Sequence, residues 1–224
     1  VLAGDSAPAD GGSIDLDGDL VGAGLSGRDL TGVDLSGRDL TGADLSGADL
    51  SRCRLNGAVL RDAVLVHATL HETQLLGADL TGADLSGADA FSVMMGRANL
   101  TNAVLFNATL NDATFSHADL TNADFRTANL EGARFREAAL IHTDLSRARM
   151  SGADLTRADV DRAIFRDTDL TGSRIKALTG YSSADWIGID ILGADFAGAY
   201  MVRRTIMDQN YLYEFKHKSR LNSI

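Results

Sequence analysis

The chain repeats a five-residue pattern, and this period constrains its fold more than any other feature. Stepping by five from Leu20 to Ile175 gives 32 positions, of which 31 carry a large apolar residue. The residue two positions earlier is Ala in 22 of these units, and the residue between is Asp or Asn in 17. A period of five matches neither an α-helix nor a simple strand, so the chain must change direction once in every unit.

The composition of one unit predicts how this change of direction is made. The small residue and the large apolar residue are two positions apart, so they point the same way in an extended segment while the residue between points oppositely. The two remaining positions often hold Ser or Thr followed by Gly, which favours a turn. Stacked units then place equivalent residues in register, with the large apolar side chains inside.

The run from Gly18 to Ile175 resembles the pentapeptide repeat family. The resemblance implies an all-β fold, a right-handed quadrilateral parallel β-helix with four units per coil, and therefore about eight regular coils for the 32 units. Side chains four units apart then share one face. We expect Phe115 to stack on Phe135, with Phe125 and Phe165 in a second inward ladder on the opposite side.

The repeat also predicts the domain organisation. Residues 1–13 lack the period and are expected to form a flexible tail, and the β-helix is expected over 14–206. The five-step resumes one residue out of phase from Trp186, which predicts a register break near 176–181 and one offset coil.

Residues 207–224 are expected to form a short C-terminal helix that caps the column, with Asp208 as its N-cap. Its apolar side would consist of Tyr211, Leu212 and Phe215. These side chains are expected to contact either the end of the column or a second copy of the chain, which leaves a monomer and a C-terminal-end homodimer as alternatives.

Two irregularities lie at inward positions. Arg28 and Arg38 occupy positions that are small elsewhere, and we expect their stems to cover the open end of the core, with an anion or partner contact as the alternative. Ala90 replaces a large core residue. We expect Phe91 or a neighbouring coil to fill the space, with a binding cleft as the alternative.

Two sets of outward residues are candidate interaction sites. Apolar residues at positions that usually carry polar ones suggest a partner-binding patch, although scattered surface hydrophobes are also common. A second set of acidic residues recurs on one face at every second coil and predicts an acidic face. The patch comprises Val64, Val66, Val104 and Phe106, and the acidic face comprises Asp39, Asp79, Asp119 and Asp159.

The sequence contains no arrangement typical of catalysis or metal binding. The single Cys, Cys53, lies at an inward position, and His67 and His71 are expected at different corners of the column, so they do not converge as ligands. The acidic residues recur in equivalent environments, which singles out no acid and base pair. We therefore expect no enzyme activity and no cofactor or metal.

Charge is distributed unevenly along the chain. Residues 1–125 carry 6 basic and 18 acidic residues, a net charge of −12, whereas residues 126–224 carry 15 basic and 13 acidic residues, a net charge of +2. The overall charge of −10 argues against direct nucleic-acid binding. No signal peptide is recognisable at the start of this sequence, which favours a cytoplasmic protein.

These features favour a non-catalytic scaffold, a rigid acidic rod that binds an unknown protein partner. The family resemblance implies a second possibility, a DNA mimic that inhibits or protects DNA gyrase or topoisomerase. The weaker acidity of the C-terminal half and the uninterrupted repeat argue against it. A third possibility is a repeat domain of a larger protein, because Lys216, Lys218 and Arg220 would suit a junction near a membrane or another domain.

Overall fold

The structure is a computed structural model that describes residues 18–199 and 202–210. Short extended segments, linked by isolated parallel β-bridges, make up 18–199, and helix α1 spans 202–210. In these two ranges, no helix has the length and apolar composition that a membrane crossing requires. The predicted tail at 1–13 and the side chains of Tyr211, Leu212 and Phe215 lie outside the described residues.

Each five-residue unit consists of two turn residues and three extended residues. In the unit 41–45, Thr41 and Gly42 form the turn, Asp44 forms the bridge, and Ala43 and Leu45 are fully buried on either side of it. The second turn residue has a positive φ in the regular units; for example, φ is 65° at Gly42 and 60° at Asn102. This left-handed conformation explains the frequent Gly at this position, because Gly adopts it without a steric penalty.

The bridges join residues four units apart, so four units complete one coil. They define four outward ladders that we name after their first bridged residues, Gly24, Asp29, Asp34 and Asp39. Each ladder continues up the column, as in the bridges Asp34↔Arg54 and Asp39↔Val59. The sequence alone does not show this number of units per coil, and the family resemblance implied it.

Backbone hydrogen bonds between coils hold the stack together. Asp44 N donates to Ala23 O of the coil below at 2.9 Å, and Leu45 N donates to Val64 O of the coil above at 2.7 Å. A bond within the coil, from Ala48 N to Leu45 O at 3.0 Å, closes the turn. The same pattern recurs through the regular coils, so the buried backbone polar groups are paired as burial requires.

The core is one continuous column of inward side chains. Phe115 and Phe135 stack with ring centroids 5.0 Å apart and planes 10° apart, which confirms the predicted stack. Phe125 meets both rings edge-on from the opposite side, at 5.6 and 6.3 Å. Phe165 continues the opposite ladder and stacks on Trp186 at 4.3 Å. Because the column is narrow, facing ladders touch across it, and the second inward position of each unit must stay small.

The first coil leaves its small-residue positions half-buried, because no described coil lies below it. Arg28 and Arg38 occupy two of these positions and are half-buried, whereas Ala43 in the next coil is fully buried. The guanidinium of Arg38 donates to the carbonyl of Gly18. This placement agrees with the interpretation that the two stems cover the open end.

Of the two predicted ways to fill the space beside Ala90, by Phe91 or by a neighbouring coil, the one through Phe91 is wrong. Phe91 is 44% exposed, and its ring meets His71 edge-on at 6.5 Å. Phe91 belongs to a turn, where the backbone directs side chains outward, so it cannot reach the core without breaking the corner. Val93 occupies a position that is Ala in most units and is fully buried, which adds core volume close to Ala90.

The bridge spacing increases by one residue near the C-terminal end. Asp159 still pairs with Thr179, whereas Ile164 pairs with Asp185. One additional residue therefore lies between 179 and 185, an interval that overlaps the segment 176–181 in which the sequence predicts the break. Trp186 is fully buried, and its indole N–H donates to Tyr181 O at 2.8 Å across the irregular segment.

Residues 202–210 are helical, so the prediction that Asp208 caps a helix starting after 206 is wrong. Asp208 lies within the helix, and the predicted β-helix range of 14–206 includes its first residues. Val202 and Ile206 are 3% and 0% exposed. Both are buried because residues four apart lie on the same face of a helix, and this face packs against the column. The five-residue step also reaches Ile206, so periodicity alone could not separate the two structures.

Side-chain amides of α1 replace the backbone of a further coil. Gln209 Oε1 accepts from Trp186 N at 2.8 Å, and Gln209 Nε2 donates to Ala184 O at 3.1 Å. The next residue, Asn210, makes a similar pair of bonds. Asn210 Oδ1 accepts from Gly188 N at 2.9 Å, and Asn210 Nδ2 donates to Trp186 O at 2.9 Å. In the regular coils, the groups equivalent to Trp186 N, Gly188 N and Ala184 O bond to the next coil, as in Leu45 N to Val64 O. Side chains of α1 therefore take the place of that coil for these three groups.

Candidate functional site

The outward Asp residues have a structural role at the corners. Asp39 accepts hydrogen bonds from Thr41 N and Thr41 Oγ1 at 2.9 and 2.6 Å, and Asp119 does the same with Thr121 at 3.0 and 2.6 Å. Asn99 makes the equivalent bonds to Thr101. This Asx-turn geometry explains why the position is so often Asp or Asn, because both side chains offer the oxygen that accepts the turn N–H.

These hydrogen bonds also keep the carboxylates ionised. Bonds from Ser46 hold the pKa of Asp44 below its usual range, and bonds from Thr41 do the same for the pKa of Asp39. At Asp124, burial favours the neutral form, but the bonds from Arg126 outweigh it and the pKa is lowered. These three carboxylates are therefore held in their ionised form at neutral pH.

The structure places the predicted acidic residues in a single ladder. Asp39, Asp79, Asp119 and Asp159 all lie in the Asp39 ladder, where Val59, Asn99 and Ala139 alternate with them. Consecutive acidic residues are two coils, or about 10 Å, apart at the usual strand spacing. Arg61 Nε lies 2.6 Å from Asp79 Oδ2, so one of the four carboxylates is paired with a base.

Basic side chains reach acids in neighbouring coils. Arg54 lies 2.8 Å from Asp34, and Arg166 lies 2.5 Å from Asp185. Most of these pairs are solvent-exposed, so each adds little to stability. Their effect on the surface charge matters more. Each pair neutralises one acidic residue, so only short stretches of the surface keep uncompensated negative charge.

The predicted apolar patch lies along one edge of the column. Val64 and Val104 belong to the Gly24 ladder with Asp84 between them, and Val66 and Phe106 lie at the adjoining corner. Val64 is 37% exposed and Phe106 is 43% exposed. Val66 and Val104 are half-buried, and an acidic residue, Asp84, divides the patch.

An arginine covers one side of this patch. The guanidinium of Arg126 lies 5.6 Å from the centroid of the Phe106 ring. Arg126 also binds Asp124 through two hydrogen bonds, at 2.8 and 2.6 Å. The Asp124 carboxylate fixes the guanidinium over the ring, a geometry in which a cation–π contact is favourable.

A second exposed apolar group went unrecognised in the sequence. Leu76, Phe91 and Met94 are 54%, 44% and 42% exposed, and they lie on the Asp34 ladder and the corners beside it. The available signal was an apolar residue next to a core residue, as in Leu75–Leu76 and Met94–Met95. Sequence reasoning missed the group because Leu76 lies in the coil before Phe91 and Met94 and at a different corner, so the three are not close in the sequence pattern.

The histidines and the cysteine do not assemble. His71 Nε2 lies 2.8 Å from Asp89 Oδ2, and His67 lies at another corner. Cys53 is buried, its thiol donates to Leu30 O at 2.7 Å, and burial raises the pKa of Cys53 to about 11. Within 18–199 and 202–210, no group of three or more His, Cys, Asp or Glu side chains is arranged to hold a metal ion.

Comparison with known proteins agrees with this geometry. The family profile for Pentapeptide repeats, in eight copies, matches residues 19–57, 58–90, 97–136 and 133–172. The chain belongs to the pentapeptide repeat family. Pentapeptide repeat proteins fold as right-handed β-helices, and they are generally non-catalytic repeat proteins. Among curated proteins, none matches this chain.

Two solved pentapeptide repeat proteins illustrate the range of similarity. A trypsin-treated form of QnrB1, a plasmid-mediated fluoroquinolone resistance protein, is 22% identical with a TM-score of 0.68, over 85% of this chain and 94% of QnrB1. HetL, which is involved in heterocyst differentiation regulation in the cyanobacterium Nostoc, is 28% identical with a TM-score of 0.32, over 78% of this chain and 92% of HetL. At so low an identity, the likeness to QnrB1 concerns the fold alone.

Proposed function

We propose that this pentapeptide repeat protein is a non-catalytic scaffold that presents side chains from a stiff column to a protein partner. The column would comprise eight regular coils and one offset coil capped by α1. The observation that carries the proposal is the exposure of large apolar side chains on a surface whose other outward residues are mostly polar. Such clusters are typical of interaction sites on otherwise polar proteins.

The patch formed by Val64, Val66, Val104 and Phe106 is one surface for this role. Phe106 offers an exposed aromatic ring, and Arg126 fixed above it supplies a cation, a combination that is enriched at the centres of protein interfaces. Because hydrogen bonds between coils already fix the backbone, little conformational entropy would be lost when a partner binds this surface.

A pull-down with the native protein and its Phe106→Asp variant tests the proposal. We expect the native protein to retain specific partners and the variant to lose them, with both proteins showing the same thermal unfolding because Phe106 lies outside the core. A Thr109→Asp variant, altered at an exposed position on the adjacent ladder, should retain the partners. Failure of the native protein to retain any partner at stoichiometric level would count against a scaffold.

A DNA gyrase inhibitor or protector is the second candidate function. The likeness of fold to QnrB1, a fluoroquinolone resistance protein, and the regularly spaced carboxylates of the Asp39 ladder favour it. Against it, arginines such as Arg54 and Arg166 pair with acids and interrupt the negative charge along the column. A protein that mimics DNA needs continuous negative charge to replace the phosphates.

A supercoiling assay separates the two functions. We expect the purified protein to leave gyrase supercoiling unchanged at micromolar concentrations, with and without a quinolone. Inhibition, or protection from the quinolone, would favour the second function. The same assay with an Asp39, Asp79 and Asp119 to Asn variant would then show whether the acidic ladder is responsible.

A further inference from the structure

The face that carries the Asp34 ladder differs from the other faces in two properties. Three exposed apolar residues, Leu76, Phe91 and Met94, lie there in adjacent coils. Phe91 lies at the corner before the ladder, Met94 on the ladder, and Leu76 at the corner after it, so the three cross the face from one edge to the other. We call this side of the column the methionine face.

The methionine face is also less acidic than the chain as a whole. We count its charges over the equivalent segments of the nine described coils, each comprising the ladder residue and the two flanking corners. They contain 8 basic and 7 acidic residues, a net charge of +1 in a chain whose net charge is −10. The segments are 31–37, 51–57, 71–77, 91–97, 111–117, 131–137, 151–157, 171–177 and 192–198.

A shallow groove of about 800 Å³ lies on this face, and Arg52, Arg134, Met94 and Thr114 line it together with the acids Glu72 and Asp112. Glu72 is paired with Arg52 at 3.6 Å. Arg134 has no acidic group within ion-pair distance among the residues that the structure describes. Arg54 pairs with Asp34, but both side chains are about half exposed, so this pair can exchange for another carboxylate at low cost.

The spacing of these residues selects the shape of a partner. Arg54, Met94 and Arg134 belong to one ladder at intervals of two coils, so each Arg lies about 10 Å from Met94 along the column. Seven residues of an α-helix span about 10.5 Å and return to the same side of the helix. In an extended strand, the residues about 10 Å from a given residue are three positions away and point to the opposite side.

We propose that the methionine face binds an acidic amphipathic helix of a protein partner, aligned with the column. An apolar residue of the helix packs on Met94 between Phe91 and Leu76, and acidic residues seven positions before and after it pair with Arg54 and Arg134. The inference rests on the proposed function as a binding scaffold and deepens it, because it names the chemistry of the partner and a surface different from the Val64–Phe106 patch.

The test is a phage-displayed library of helical peptides about six turns long, randomised on one face and selected on the full chain. We expect enriched peptides to carry an apolar residue with Asp or Glu seven positions to either side. Synthetic copies of these peptides should bind the Met94→Glu and Arg134→Glu variants at least tenfold more weakly than the native protein. They should bind a Val104→Glu variant, altered on the other patch, as tightly as the native protein.

Three outcomes would overturn the inference. Peptides without the acidic pattern, or no enrichment at all, would show that the face does not select such a helix. Peptides that lose affinity for Val104→Glu but not for Met94→Glu would support the scaffold function and place its binding site on the other patch. A dimer in sedimentation that Met94→Glu dissociates would make a second copy of the chain the occupant. Thermal unfolding of each variant within a few degrees of the native protein serves as the folding control.

Discussion

At the scale of single residues, the polar groups at inward positions are buried with a backbone carbonyl as partner, which for four of them lies in the coil below. Thr73, Thr143 and Thr168 replace the usual Ala, are buried, and donate through Oγ1 to a leucine carbonyl of the preceding coil at 2.7 to 2.8 Å. The thiol of Cys53 donates in the same direction. In each case the side chain reaches a leucine carbonyl oxygen that already accepts one backbone N–H and has a second lone pair to offer.

Replacing one of these hydroxyls should weaken the fold measurably. Thr168→Val retains the shape and removes the bond to Leu145 O, which should lower the free energy of unfolding by about 0.5–1.5 kcal/mol. Thr109→Val, at an exposed position of the Asp29 ladder, is the matched control and should change it by less than about 0.5 kcal/mol. Urea denaturation of both variants checks this, and equal losses would contradict the role of the buried hydroxyl.

The small inward position should reject a larger side chain. Ala123 is 1% exposed beside the aromatic core, so Ala123→Leu should destabilise the protein by about 1–3 kcal/mol through overpacking. Ala139 lies on the outward Asp39 ladder, where the same substitution has solvent to occupy. Denaturation should therefore show a clear loss for Ala123→Leu and almost none for Ala139→Leu. A neutral Ala123→Leu variant would be incompatible with a closed core.

At the scale of elements, the corners and the terminal helix both depend on side chains that bind backbone groups. The Asx turns do this at the corners, and Gln209 and Asn210 do it at the end of the column. In each case a side-chain amide or carboxylate takes the place of a peptide group. These elements are therefore more sensitive to side-chain chemistry than the bridges between coils are.

The Asx turns make stability depend on pH. Hydrogen bonds to the ionised form hold the pKa of Asp39, Asp44 and Asp49 below the unfolded value. A group with a lowered folded pKa stabilises the protein above its unfolded pKa, and this contribution is lost as the pH falls through the folded pKa. We therefore expect the unfolding free energy to decrease below about pH 4, near the unfolded pKa of Asp.

A triple Asp39→Asn, Asp44→Asn, Asp49→Asn variant isolates this contribution. Asn can make the same turn, as Asn99 does with Thr101, but it does not titrate. Chemical denaturation at pH 7 and pH 3 should show a smaller difference for the variant than for the native protein. An unchanged difference would mean that the turn carboxylates do not contribute to the acid sensitivity.

The terminal helix should stabilise the last coil through Gln209. Gln209→Ala removes the bonds to Trp186 N and Ala184 O, which leaves two backbone groups without their partner and should cost about 1–3 kcal/mol. Met207→Ala, at a 51% exposed position of the same helix, should have little effect. Thermal unfolding monitored by Trp186 fluorescence compares them, and equal transitions would argue that the helix does not cap the column.

At the scale of the whole molecule, the protein is a stack in which each coil is stabilised by its neighbours. Interior coils bond to a coil above and a coil below, whereas the first and last described coils bond to one coil only. The burial of the core follows the same trend, because Ile191 and Phe196 of the last coil are only half-buried. Repeat arrays of this kind lose structure from their ends first.

Hydrogen exchange should reveal this gradient. We expect slow amide exchange over 60–160, where both neighbours are present, and faster exchange in 18–40 and 185–199, because end coils open at lower free energy than the central coils. Exchange measured by mass spectrometry at neutral pH checks the prediction. Uniform protection along the chain would show that the column opens only as one unit.

The sequence predicted some parts of the molecule and not others, for identifiable reasons. It predicted the inward ladder and the Phe115–Phe135 stack, because these depend only on the period and on the coil size that the family implies. It failed at Phe91, because burial was inferred from a gap in the core without considering that a turn residue points outward. It also failed at the start of α1, because Ile206 satisfies both the five-residue step and a helical spacing.

The amino-acid sequence by itself determined which side chains lie inside, because an apolar residue at every fifth position can be buried only if the chain turns once per unit. Only the tertiary structure decided which outward residues become neighbours. Met94, Leu76 and Arg134 are far apart in the chain and come together because every coil returns the backbone to the same face. The same return leaves an open end, and Gln209 and Asn210 of α1 cover it with amide groups that no repeat pattern anticipates.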